Sequence, residues 1–123
     1  MPVVLHHVVM DAHDLPAQAR FWAAVLDWEI VSEKEREVII GPSPDAPSGI
    51  CFMPVTEPKQ VKNRLHFDLN PHPGTAAEEV ERILGLGARR VDVGQDGTES
   101  WTVLADPEGN EFCVVRPKAT LAG

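Results

Sequence analysis

The chain reads as one structural phrase written twice. Laying His7 on His66 brings Val8 onto Phe67, Met10 onto Leu69, His13 onto His72, Phe21 onto Val80 and Ala24 onto Ile83. Each half has the pattern strand, helix, then three strands. Such a repeat constrains the fold more than any single motif, because each copy must bury one sheet face under its own helix. A length of 123 residues suits a single domain and leaves no room for a second independent core. The expected organisation of residues 1–123 is unit one over about 3–55, a linker over about 56–63, unit two over about 64–117 and a tail over 118–123.

Local signals place the elements. Residues Pro2 to Asp11 are apolar and β-branched and predict a first strand. Asp14 can cap a helix that Pro16 tolerates in its first turn, and Ala17, Phe21, Ala24, Val25 and Leu26 recur at helical spacing. Short strands follow over Trp28–Ser32, Arg36–Ile40 and Ile50–Val55, with a Pro- and Gly-rich loop over 41–49. In the second half, residues Arg64 to Asn70 alternate, with Leu65, Phe67 and Leu69 on one face and His66, Asp68 and Asn70 on the other. Thr75 and Glu78 form a capping-box pattern before a helix with Ala76, Val80, Ile83 and Leu84 inside, ended by Gly85 or Gly87. Strands are expected over Arg89–Val93, Glu99–Ala105 and Asn110–Val115, the last two joined by the turn Asp106-Pro107-Glu108-Gly109.

Composition narrows the partners. The net charge of -8 disfavours nucleic acid and anionic membrane, and suits a cationic or neutral small ligand. No apolar run approaches the ~20 residues of a membrane helix, and no export signal is read at the N-terminus. Cys51 and Cys113 are the two cysteines and read as free thiols of a cytoplasmic protein.

The segments "LHHVVMDAHDLPAQARFWAAVLDWEI", "NRLHFDL" and "WTVLADPEGNEFCVV" together resemble the vicinal oxygen chelate superfamily, which includes glyoxalase I, bleomycin-resistance proteins, fosfomycin-resistance enzymes and extradiol dioxygenases. The likeness to its small glyoxalase-like domains spans about residues 3–117. It implies an α+β fold of two tandem βαβββ units, forming a curved, cleft-enclosing sheet with helices outside. It further implies that His7, Val9 and Asp11, Cys51 and Met53, His66 and Asp68, and Glu111 and Cys113 face the cleft. Small members of this superfamily usually pair, so a homodimer is expected, with Trp22 and Trp28 offering apolar surface.

Metal-dependent relatives carry two His or Gln and two Glu ligands. Carried over by position, these fall on His7, near Met53, on His66 and on Cys113, so both imidazoles are kept and both carboxylates are lost. A thioether is a poor ligand for a hard ion. The expectation is therefore no resident metal, with zinc on His7, His66 and Cys113 as the exception.

Other residues carry paired readings. Asp11 and Asp68 are either general bases or partners that fix a histidine tautomer. Cys113 is either a nucleophile activated by His7 or His66, or an inert buried thiol. Trp101 either stacks on a ligand or faces away. The function expected first is a metal-free small-molecule-binding protein with an acidic cleft, resembling the bleomycin-resistance group. The alternatives are a metal-dependent lyase, isomerase or dioxygenase acting on vicinal oxygens, and a metal-free enzyme using His66 and Asp68 for acid-base chemistry.

Overall fold

Two short-range signals, a cap before each helix, divide strand from helix in both halves of the chain. The computed structural model describes residues 2–91 and 101–122. Asp14 accepts a hydrogen bond from the Ala17 amide at 3.3 Å and starts α1 (Leu15–Leu26), with Pro16 in its first turn. Thr75 accepts from the Glu78 amide at 3.2 Å and starts α2 (Ala76–Gly85). Its hydroxyl also donates to the Glu78 carboxylate at 2.8 Å. Each cap satisfies an amide that the first helical turn would otherwise leave open, worth about 1 kcal/mol. Gly87 ends the second helix from a φ of 121°, and its amide donates to the Leu84 carbonyl.

The chain forms two compact units, residues 1–58 and 59–123. In the first, β1 (His7–Ala12), β2 (Glu29–Lys34), β3 (Glu37–Gly41) and β4 (Gly49–Pro54) form a sheet in the order β1-β4-β3-β2. The β1–β4 pair is parallel and the others are antiparallel. One sheet face, with Ala12, Val38, Ile40, Ile50 and Phe52, is buried with Leu15, Ala19 and Trp22 of α1. Gln18, also buried, donates to the Met10 sulfur at 3.4 Å.

The second unit repeats the plan. Here β5 (Asp68–Leu69), β6 (Arg89–Arg90), β7 (Trp101–Ala105) and β8 (Glu111–Val115) are ordered β5-β8-β7-β6, with β5 and β8 parallel. Leu104, Phe112 and Val114 are buried on the face that α2 covers with Val80 and Ile83. The structure is thus α+β, two tandem βαβββ units. The strand ends expected at Val93 and Glu99 lie outside the described residues. Among the described residues no helix is long and apolar enough to cross a membrane.

Two expected strands are shorter than their apolar patterns. The first begins at His7, leaving Val3, Val4 and Leu5 exposed, and the fifth shrinks to Asp68–Leu69, leaving Leu65 84% exposed. The reason is register. His7 lies opposite Gly49, where β4 begins, so residues before it run past their partner. Asp68 lies opposite Cys113, which carries Leu65 past the start of β8 at Glu111. Trp22 is 1% exposed and belongs to the core, so it offers no surface for pairing, whereas Trp28 is half-buried.

Candidate functional site

The sheet face opposite each helix carries the chemistry. In the first unit, Val9 lies opposite Cys51 and Asp11 opposite Met53 across the β1–β4 pair, and Ile39 flanks Cys51 from β3. Burial pushes the Cys51 thiol pKa up, and the nearby Glu37 carboxylate, which accepts its hydrogen bond, pushes it further. Val9 and Met53 are exposed on this face, while Cys51 is buried. His6 and His7 bring their rings within 4.5 Å of one another at the start of β1.

In the second unit the same face forms a cavity of about 360 Å³, lined by Lys62, His66, Asp68, Trp101, Val103, Glu111, Cys113 and Val115. Alternation explains the lining: Glu111, Cys113 and Val115 share one face of β8, and Trp101 and Val103 share one face of β7. The β7–β8 turn fixes that parity. Asp106 is buried and its Oδ1 accepts from the Glu108 and Asn110 amides at 2.9 and 3.0 Å. The Asn110 side chain donates to the same carboxylate and accepts from Asn63 at 2.8 Å.

The charged groups of this cavity fall into two clusters. His66 Nε2 stands 3.2 Å from Asp68 Oδ1. Burial raises the Cys113 thiol pKa, Asp68 raises it again by its charge and by accepting the thiol's hydrogen bond, and Lys62 works in the opposite direction. A thiol held protonated in this way is the opposite of an activated nucleophile. Glu111 is 3.7 Å from Lys59, whose ammonium also donates to the Val61 carbonyl at 2.6 Å.

His66, Asp68 and Cys113 place their donor atoms within 4.8 Å of one another. An imidazole, a carboxylate and a thiolate with an open fourth position suit zinc, so this donor set fits a metal. The group differs from the one expected from sequence, since Asp68 takes the place given to His7, which belongs to the first unit. The repeat also reassigns a position. Val9 and Asp68 correspond in the two halves, and their cross-strand partners are Cys51 and Cys113, so Cys51 and not Met53 is the counterpart of Cys113.

Of the residues expected at a cleft, His66, Asp68, Trp101, Glu111 and Cys113 line the second-unit cavity. His7, Val9, Asp11, Cys51 and Met53 lie on the first unit's sheet. Lys62 was missed because a polar stretch between repeats reads as linker. Val103 and Val115 were readable, since each is two residues from an assigned neighbour on its strand. The acids do not stand alone either. Lys62 lines the cavity beside Asp68 and Glu111, and Lys59 stands 3.7 Å from Glu111.

A family model described as Glyoxalase-like domain matches residues 7–115. Several solved structures share the fold. A mutant of the fosfomycin resistance protein FosX from Listeria monocytogenes, complexed with manganese(II) and dihydroxypropylphosphonic acid, aligns with a TM-score of 0.70 at 19% identity, covering 97% of this chain and 94% of that one. The trypanothione-dependent glyoxalase I of Leishmania major aligns with a TM-score of 0.66 at 12% identity, covering 94% and 87%. A glyoxalase/bleomycin resistance protein/dioxygenase family enzyme from Burkholderia phytofirmans aligns with a TM-score of 0.66 at 20% identity, covering 91% and 97%. No curated protein matches the chain in sequence.

Proposed function

The chain belongs to the glyoxalase-like domain family, and from that premise we propose that it binds a small organic molecule in the cavity of its second unit without needing a resident metal. The observation that carries this reading is the cavity itself. An indole, two valines and a buried thiol supply apolar wall, and a few charged groups converge on it, which is the usual makeup of a small-ligand site. The half-exposed Trp101 is a large flat surface already in place for a guest. Cys113 favours the metal-free state, because its proton is held by burial and by Asp68 and a metal would have to displace it. The reading extends to a cytoplasmic homodimer, supported by two free thiols and by the exposed apolar run Val3–Leu5.

The experiment is a screen of neutral, cationic and anionic fragments by tryptophan fluorescence, on protein dialysed against a chelator. Binding that survives chelation and is lost in Trp101→Ala is the expected result. Binding that appears only when zinc is restored would overturn the metal-free reading.

His66, Asp68 and Cys113 carry a second reading. Bound there, zinc would supply a Lewis acid that polarises an oxygen of the guest. Asp68 and Cys113 would add the negative charge the ion needs, and His66 a neutral donor. Elemental analysis distinguishes the two. Near-equimolar zinc that is lost in Asp68→Asn and Cys113→Ser favours this second reading.

A further inference from the structure

Resting on the cavity of the second unit as a ligand site, we infer that its guest is an elongated aromatic molecule with an N–H donor at one end, that end held by Glu111 and the ring laid against Trp101. Net charge does not choose the guest, since Lys59 and Lys62 offset Asp68 and Glu111. Hydrogen-bonding capacity decides instead. Asp68 is engaged by His66 and by the Cys113 thiol. Glu111 differs: its Oε1 is buried and accepts no hydrogen bond among the described residues. The Lys59 ammonium stands 3.7 Å away, outside hydrogen-bond reach, and donates to the Val61 carbonyl at 2.6 Å. A buried acceptor without a donor is costly, and a carboxylate only accepts, so the group that satisfies it is a donor. The side chain lines the cavity and is 19% exposed. The terminal torsion of a glutamate is broad and two-fold, so either oxygen can turn to a guest there.

The register of β7 against β8 sets the shape of the guest. Along the cavity face the paired rows are Glu111 with Ala105, Cys113 with Val103, and Val115 with Trp101. Successive rows are two residues apart, so the carboxylate row and the indole row lie about 13 Å from one another, a gap their long side chains shorten. Between them stand Val103 and a thiol that burial and Asp68 keep protonated. The demand for a donor therefore sits at one end and the aromatic wall at the other. Trp101 lines that wall with 44% of its surface exposed, beside Val115. An indole next to a branched aliphatic group favours a flat ring. A volume of about 360 Å³ lies near the lower end of ligand cavities, roughly 300–1,000 Å³, so one or two rings with a small head group fit and a larger body does not.

The test uses three probes of one shape, titrated into the whole chain: 2-naphthamide, a neutral N–H donor; 2-naphthamidine, a cationic one; and methyl 2-naphthoate, which has no donor. The expected result is that both N–H probes bind at least about tenfold tighter than the ester, as a hydrogen bond to a charged acceptor predicts. Glu111→Met should bring the amide to the ester's affinity, and Glu111→Gln, which keeps one acceptor oxygen, should retain part of the preference. An ester as tight as the amide in the parent chain would overturn the inference and leave the cavity reading standing. So would an amidine that alone outbinds the ester, because charge and not the hydrogen bond would then be read. An amide preference that survives Glu111→Met, or failure of all three probes where the fragment screen finds another guest, has the same meaning. If neither the probes nor any fragment binds, the cavity reading fails and this inference falls with it.

Discussion

Asp68 faces Cys113 across the parallel β5–β8 pair, and its carboxylate accepts the hydrogen bond of that thiol. Its counterpart in the repeat, Val9, faces Cys51, where the acid comes from Glu37 on the other flanking strand instead. Both units therefore hold a buried thiol beside a carboxylate, reached by different routes.

The first consequence is kinetic. Asp68→Asn removes a charge and an acceptor that favour the protonated thiol, while Lys62 remains to favour the thiolate. The lowered pKa leaves more thiolate near neutral pH. Lower intrinsic nucleophilicity takes back only part of that gain, so Cys113 should alkylate faster than in the parent. Peptide mass spectrometry after timed iodoacetamide treatment reads it, with Cys51 as the internal control. A rate unchanged in the variant would show that Asp68 does not restrain the thiol.

A second consequence concerns alkaline stability. Both thiols are raised, so the folded chain keeps protons that the unfolded chain gives up. Their stabilising contribution is complete below the ordinary thiol value of about 8.5 and is lost as pH rises through the higher folded values. The chain has no tyrosine to mask this slope. Urea midpoints should fall between pH 8 and pH 10, and the fall should be shallower when Cys51 and Cys113 are both replaced by Ala.

Asp106→Ala should cost about 3 kcal/mol, because two backbone amides and the Asn110 side chain lose a buried, charged acceptor. Asp106→Asn keeps one acceptor oxygen and should cost less. Chemical denaturation of the two variants beside the parent ranks them.

Two glycines should respond in opposite directions. A Cβ on Gly49 would strike the Ile40 carbonyl of β3, so Gly49→Ala should destabilise by about 1–3 kcal/mol. Gly85, the last residue of α2, has open space around its missing Cβ, and Gly85→Ala should stabilise by about 0.5–1 kcal/mol. Thermal melts of both variants check the pair, and a loss at Gly85 would contradict the open geometry there.

Local chemistry was legible in the sequence where it is self-contained. Asp14 and Thr75 announce their helices because each cap needs only the next three residues. The Asp106–Gly109 turn is equally local. The apolar runs Val3–Leu5 and Leu65 were misread because alternation tells which residues share a face, not whether a partner strand extends beside them. Lys62 was illegible for a related reason. Its role depends on the end of a polar connection lying near Cys113, which no pattern within the connection encodes. The pairing of His66 with Asp68 was foreseeable from their shared face, and the pairing of Cys113 with Asp68 needed the register.

The turn held by Asp106 acts as a counting device. Side chains along β8 alternate between Glu111, Cys113 and Val115 at the cavity and Phe112 and Val114 in the core. One residue inserted in the turn would exchange these two sets, offering the guest two hydrophobic side chains and burying a carboxylate under α2. Errors in this loop are therefore all-or-none, and variation can reach the cavity through its side chains but not through the length of the loop that aims them.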